Sequence, residues 1–317
     1  MKKILSLAIA VIIFIAAGCS FSTKPKVTKV YPQKEKTQQE SANDSIQRSE
    51  SHRISNESKV PEKTAEQTNE KTNEETKPVK IGEAAAQPGY DNKIIGWGLK
   101  QNTDQKPPEV PSSWVEMLKK YNGYYIGNTA KKEVYLTFDE GYEAGNTGRI
   151  LDILKDNGVK AAFFVTGHFV KTNPELVIRM VKEGHIVGNH TVNHPSMPTI
   201  SNEKIKQELD GVQEAVYNLT HYKMIYMRPP KGEFNERTLA YTSELGYKTV
   251  FWSLALADWQ PLPGGPEESY NTVMKYMHPG AIILLHAVSK DDTEALDKII
   301  KSIKQQGYVF KSLDQLQ

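Results

Sequence analysis

The chain has 317 residues with 40 basic and 38 acidic side chains, a formal net charge of +2 and a mean hydropathy of −0.54. That balance excludes nucleic acid as the partner, because nucleic-acid binders carry a clear basic excess, and a single cysteine excludes a disulfide-stapled scaffold. The length allows one large or two ordinary domains, while hydropathy this low implies that part of the chain does not fold.

The first predicted element is apolar. Met1, Lys2 and Lys3 precede a run from Ile4 to Ala17 broken only by Ser6. As a helix this run spans about 21 Å, short of the roughly 30 Å hydrocarbon core. A basic start, a short apolar stretch and the small residues Ala16-Ala17-Gly18 describe a secretory signal. The small residues lead into Cys19 and resemble a bacterial lipobox, with Ala16 where Leu is usual, so residues 1–19 are expected to be a lipoprotein-type signal and Cys19 the lipidated residue. An uncleaved signal anchor is the alternative, and either places the domain at the outer face of the cytoplasmic membrane, facing the wall. Residues 20–89 hold only nine large apolar side chains among interspersed lysines, glutamates, threonines and serines. Such a segment buries too little surface to offset its ordering entropy, which predicts a disordered charged tether.

Order is expected from Tyr90 and strengthens at Lys131. Apolar runs at Val134–Phe138, Ala161–Val165, Ile186–Val187, Met224–Tyr226, Thr249–Phe251, Ala281–Leu285 and Tyr308–Phe310 read as short buried strands. Between them, Ile205, Leu209, Val212, Val216 and Leu219 step at helical spacing, as do Leu296, Ile299, Ile300 and Ile303, with Gly307 placed to end that helix. The alternation predicts an α/β fold, a distorted (β/α) barrel of about seven strand–helix units over residues 131–317, with residues 90–130 as an extension packed on it through Trp97 and Trp114.

Chemistry in such a barrel gathers at the C-terminal ends of the strands, and the unusual polar residues fall there. Asp139 and Glu140 follow the first run, His190 and His194 the Ile186 run, Arg228 the Met224 run, Asp258 the Phe251 run, and His286 the Leu285 run. His190-Thr-Val-Asn-His194 has the spacing of a metal-binding pair, and two imidazoles with a nearby carboxylate suit zinc.

Thr137-Phe-Asp-Glu140, His190-Thr-Val-Asn-His194, Arg228-Pro-Pro-Lys-Gly232, Asp258-Trp259 and Leu284-Leu-His286 occur in the order of the motifs of the polysaccharide deacetylases (NodB-homology domain, carbohydrate esterase family 4), which residues 131–317 resemble. Tyr124–Thr129, Tyr135–Glu143, Trp97-Gly98 and Lys106–Glu109 are most similar to the delta-lactam-biosynthetic de-N-acetylases of spore-forming bacteria. The resemblance implies metal-dependent amide hydrolysis. Asp139 would be the general base, His286 the general acid, Asp258 and Arg228 their orienting partners, and His190, His194 and Glu140 the ligands of a divalent metal, most often zinc. The backbone N–H of Lys231 would steady the oxyanion, Tyr142 would border the acetyl pocket, and Trp259 would stack on sugar.

Three departures from the family pattern stand out. Glu140 replaces the usual Asp ligand and moves the carboxylate by roughly 1.5 Å, so it could ligate, reach through a water, or turn away. Lys231 stands where Tyr is common and adds a charge to the cleft. Ser253–Ala257 lacks the acidic residue that many relatives carry before Asp258. The function implied is de-N-acetylation of peptide-free N-acetylmuramic acid in peptidoglycan, ahead of muramic δ-lactam formation in spore cortex. An N-acetylglucosamine deacetylase on peptidoglycan or chitin-like glycan is the first alternative, and a wall-binding lipoprotein without turnover the second.

Overall fold

The computed structural model describes residues 89–90 and 92–316. Lipidation at Cys19, the signal at 1–19 and the tether up to Pro88 lie outside the described residues. In chain order the elements are β1 (Ile95–Gly96), α1 (Ser112–Lys120), β2 (Gly123–Tyr124), β3 (Glu133–Glu140), α2 (Thr147–Asp156), β4 (Ala162–Val165), α3 (Gly167–Thr172), α4 (Pro174–Lys182), β5 (Ile186–Asn189), α5 (Asn202–Thr220), β6 (Tyr226–Met227), β7 (Glu233–Phe234), α6 (Glu236–Glu244), β8 (Lys248–Val250), β9 (Leu254–Ala255), α7 (Gly265–Tyr276), β10 (Ile282–His286), α8 (Lys290–Gln305) and β11 (Val309–Phe310). No helix among the described residues is long and apolar enough to cross a membrane.

The main sheet runs β2-β8-β6-β5-β4-β3-β10-β9, with β11 added beside β3, and its pairings are all parallel. No ladder joins β2 to β9 among the described residues, so the barrel is open. Each expected strand is present, with small shifts. The Met224 run pairs only at Tyr226–Met227, and the first strand continues past Phe138 through Glu140.

Because strand side chains alternate between faces, β3 serves two cores. Val134, Leu136 and Phe138 join the layer between sheet and helices, where they meet Phe163, Val165 and Ile283. Tyr135 points the other way, into the barrel interior with Ala162, Phe164, Ile186 and Ile282. The helices cover the outer face. α8 buries Leu296, Ile299, Ile300 and Ile303 completely, and burying a large aliphatic side chain of this kind stabilises by about 1.5–3 kcal/mol. Its start is fixed by Ser289, whose hydroxyl accepts from the Asp292 N–H. The longest helix, α5, is capped in the same way by Ser201.

The extension folds onto one side of the barrel. Trp97 stacks on Phe251 at 4.5 Å between ring centroids and sits 5.8 Å from Trp114, while β1 pairs antiparallel with β7.

His278 makes a pH-dependent contribution to stability. It is fully buried, neither ring nitrogen meets a hydrogen-bond partner among the described residues, and burial pushes its pKa down to about 4. The unfolded chain therefore binds the extra proton between about pH 6.5 and 4, so the stability His278 supports is complete above that window and is lost as pH falls through it. The expected size is about 3 kcal/mol at most. His278→Leu should flatten the difference in unfolding free energy between pH 7 and pH 4.5 by part of that amount, measured by urea titration at both pH values. An unchanged difference would mean that His278 titrates alike in both states.

Candidate active site

Parity along the strands decides which polar residues meet. Asp139 shares its face with Tyr135 and Thr137, and His286 shares its face with Ile282 and Leu284; both faces are the barrel interior. Asp139 and His286 are register partners on adjacent strands. His190 follows β5 directly, and Gly188 two residues earlier leaves room for a ring, since a Cβ there would lie 2.5 Å from Phe164 Cδ1. Phe164 in turn supports Arg228, whose guanidinium carbon is 4.2 Å from the ring centre.

Arg228 is fully buried and has most of its donors engaged. Nη1 donates to Asp139 Oδ1 at 2.7 Å, Nη2 to Thr137 Oγ1 at 2.9 Å and Nε to the Val250 carbonyl at 3.1 Å. Burial opposes a charge on Asp139, but Arg228, helped by His286, outweighs it and holds the carboxyl below its ordinary pKa. The free oxygen, Oδ2, lies 3.7 Å from His190 Nε2.

His190 and His194 are brought together by a tight loop. Thr191 and His194 both have positive φ, 66° and 54°, and fold the chain back so that the imidazoles meet at 4.8 Å between centroids. Buried Glu208 holds the loop from below, accepting from Asn193 N at 2.7 Å and Nδ2 at 2.8 Å. The Asn189 side chain accepts from the Thr191 N–H. Burial depresses both histidines, His194 to about 4, so both rings are neutral. His190 Nδ1 lies 2.8 Å from the Arg228 carbonyl, to which Nδ1–H donates, leaving the lone pair on Nε2. Neutral rings with a bare nitrogen toward a cavity are ligands in waiting. Among the described residues no third His, Cys, Asp or Glu completes a ligand group. The two imidazoles are thus a partial ligand set, one protein ligand short of the three usual at catalytic zinc.

His286 is paired with Asp258. Its Nδ1–H donates to Oδ1 at 2.6 Å and its backbone N–H to Oδ2 at 2.7 Å. Burial works against the imidazolium, but the hydrogen bond and charge of Asp258 prevail and raise the pKa of His286.

These residues surround a cavity of about 640 Å³, lined by Asp139, His190, His194 and His286, with Trp252, Trp259 and Leu284 as part of its apolar wall. Lys231 also lines it, from a short 3₁₀ turn at Pro230–Gly232 where its φ is 60°. Trp259 is 57% exposed and its ring is 5.3 Å from that of His286. Trp97, expected only to pack the extension, reaches the same cavity.

Two expected site residues lie elsewhere. Tyr142 is exposed and is not among the residues lining the cavity. Glu140 has the parity of Leu136 and Phe138, so its side chain leaves the interior for the helix layer. There Oε2 lies 3.3 Å from Thr147 Oγ1, whose one proton goes to the nearer Glu143 Oε2, and no donor among the described residues reaches Oε1. Burial, then the Glu143 charge, raises its pKa well above the ordinary value. The ligand role implied for Glu140 by resemblance is therefore corrected: it is the third of the open outcomes, turning away. Glu140→Gln should keep kcat within about threefold, because the amide keeps the shape of a side chain that lies outside the cavity. A loss above a hundredfold in steady-state acetate release would return Glu140 to the site.

Residues 126–250 match the family model for polysaccharide deacetylase. The chain is 47% identical over 237 residues to the peptidoglycan-N-acetylmuramic acid deacetylase PdaA of Bacillus subtilis, covering 74% of this chain and 90% of that one. The chain belongs to the polysaccharide deacetylase family. The solved structure of PdaA, a family 4 carbohydrate esterase, superposes with a TM-score of 0.69 over 71% of this chain and 97% of that chain, at 47% identity. A family 4 carbohydrate esterase from Bacillus anthracis is 46% identical with a TM-score of 0.62, covering 72% of this chain and 98% of that one. A peptidoglycan-N-acetylglucosamine deacetylase of Bacillus cereus is 34% identical over 219 residues, 68% of this chain and 78% of the relative. The deacetylase is accordingly a hydrolase of amide bonds, and the open parallel sheet is the family's fold.

Thr137, Asn189 and Glu208 position this site without reacting, and the sequence did not single out Asn189 or Glu208. A polar residue on the apolar face of a predicted helix, as Glu208 is beside Leu209 and Val212, was the available signal.

Proposed function

We propose that this deacetylase removes the acetyl group from N-acetylmuramic acid residues of peptidoglycan that have lost their peptide, ahead of muramic δ-lactam formation in spore cortex. The observation that carries the choice of sugar is Lys231. Muramic acid differs from glucosamine by a 3-O-lactyl group, which ends in a free carboxylate once the peptide is gone. An ammonium on the wall of a largely apolar cavity complements that carboxylate and has no counterpart on glucosamine. The name of PdaA supports the same substrate.

His190 and His194 would hold a divalent ion, zinc in our reading, and its chemistry would be to make the attacking water more acidic than bulk. Asp139 takes a proton from the attacking water at Oδ2, its other oxygen being fixed by Arg228. His286 carries a proton on Nε2, held in place by Asp258, and gives it to the departing nitrogen. The Lys231 N–H, on a turn that lines the cavity, would steady the oxyanion. Anchoring through Cys19 at the outer face of the membrane belongs to the same proposal, since the substrate lies in the wall.

Acetate release from amidase-treated peptidoglycan should exceed that from chitin oligomers, and Lys231→Met should lower kcat/KM on the muramyl glycan about tenfold while leaving chitin oligomers within twofold. Equal losses on both, or no release from the muramyl glycan with zinc supplied, would favour the N-acetylglucosamine activity that the Bacillus cereus relative's name describes.

A further inference from the structure

Asp292, in the first turn of α8, matches no motif and lines no cavity, yet it lies directly behind the Asp258–His286 pair. It is 1% exposed. Its Oδ1 accepts from Ser269 Oγ on α7 at 2.5 Å, and its backbone N–H is capped by Ser289 Oγ at 3.1 Å. Ser289 N–H donates to the His286 carbonyl at 2.9 Å, which ties the start of α8 to the end of β10. Oδ2 is buried and no protein donor among the described residues reaches it. The Asp292 carboxyl is within hydrogen-bonding reach of the carboxyl of Asp258.

Two carboxylates cannot share a buried site with both charges intact; one keeps its proton and hands it to the other as a hydrogen bond. Asp258 already accepts twice from His286, once through Nδ1–H and once through the backbone N–H, so Asp292 is the member left to donate. Burial, followed by the hydrogen bond and charge of Asp258, pushes its pKa up to about 9, which is consistent with an acid that stays protonated.

We propose that Asp292 is a positioning residue, a carboxylic acid whose Oδ2–H donates to Asp258 and so completes a buried Asp292–Asp258–His286 relay. The relay has two consequences. Asp258 is held against rotation by donors on both sides, so the ring of His286 presents Nε2 to the cavity in one orientation. The donated proton also withdraws charge from Asp258, weakening its hold on Nδ1–H. The proposal rests on the reading of His286 as the proton donor to the leaving nitrogen, but its structural part can be measured without substrate.

The test uses the full chain labelled with ¹⁵N-histidine, comparing wild type, Asp292→Asn and Asp292→Ala. The Nδ1–H of His286 is followed by its downfield proton resonance, assigned by its loss in His286→Gln. An amide is a weaker donor than a carboxylic acid, so Asp292→Asn should leave more charge on Asp258, move the resonance further downfield and keep kcat within about threefold. Asp292→Ala removes the donor, and should broaden the resonance and lower kcat about tenfold or more with KM unchanged. An unmoved resonance in Asp292→Asn overturns the relay, as does wild-type kcat in a folded Asp292→Ala protein. If Asp292→Ala does not fold, the Asp292→Asn resonance decides alone. Failure of wild type to release acetate, with the resonance shifts present, would count against the deacetylase reading and leave the relay standing.

Discussion

Asp139→Asn is expected to lower kcat for acetate release by about 10²–10⁴-fold, the range for loss of a general base, with little change in KM. Asn matches Asp in shape, and its amide oxygen can still accept from Arg228 Nη1, so the cavity should keep its form. What disappears is the basic oxygen beside His190. Arg228 and the two imidazoles remain, so glycan binding should persist, and this separates an enzyme from a wall-binding protein that has lost turnover. The measurement is steady-state kinetics on peptide-free muramyl glycan, with glycan binding followed separately. Activity within about threefold of wild type would remove Asp139 as the base.

Arg228→Met should destabilise the fold by about 3–5 kcal/mol, because removing one partner of a buried ion pair leaves the other uncompensated. The methionine chain can still lie on Phe164, so most of the loss comes from the charge and the broken hydrogen bonds to Asp139, Thr137 and the Val250 carbonyl. Activity should fall with stability, since Asp139 then loses the main charge that offsets its desolvation, and its pKa rises. The sign of the coupling is the sharper check. Adding Asp139→Asn to Arg228→Met removes the stranded charge, so the double variant should be more stable than Arg228→Met alone, measured by urea unfolding. Additive losses would show that the pair is not coupled.

Much of this molecule was legible in its residues. Apolar runs at Val134, Ala161 and Ala281 became strands because runs of four to eight apolar residues between helices have few other ways to be buried. The helical spacing from Ile205 to Leu219 and from Leu296 to Ile303 became α5 and α8 for the same reason. The polar residues after those runs, Asp139, His190, Arg228 and His286, gathered at one rim because parallel strands all end on the same side.

Direction was not legible. In a sheet buried on both faces, inward and outward residues look alike, so Asp139 and Glu140 read as a pair although they point to opposite layers. Only the continuation of β3 through Glu140, in register with Val165, decides that one carboxyl enters the cavity while its neighbour is buried against α2. The supports of the site were equally hidden. Glu208 beneath the histidine loop and Asp292 behind Asp258 come from helices separated in sequence from the groups they hold. The sequence determined which residues carry chemistry and at which strand ends. The tertiary structure alone decided which of them meet, because side-chain direction depends on where each strand stops and on which helix packs behind it.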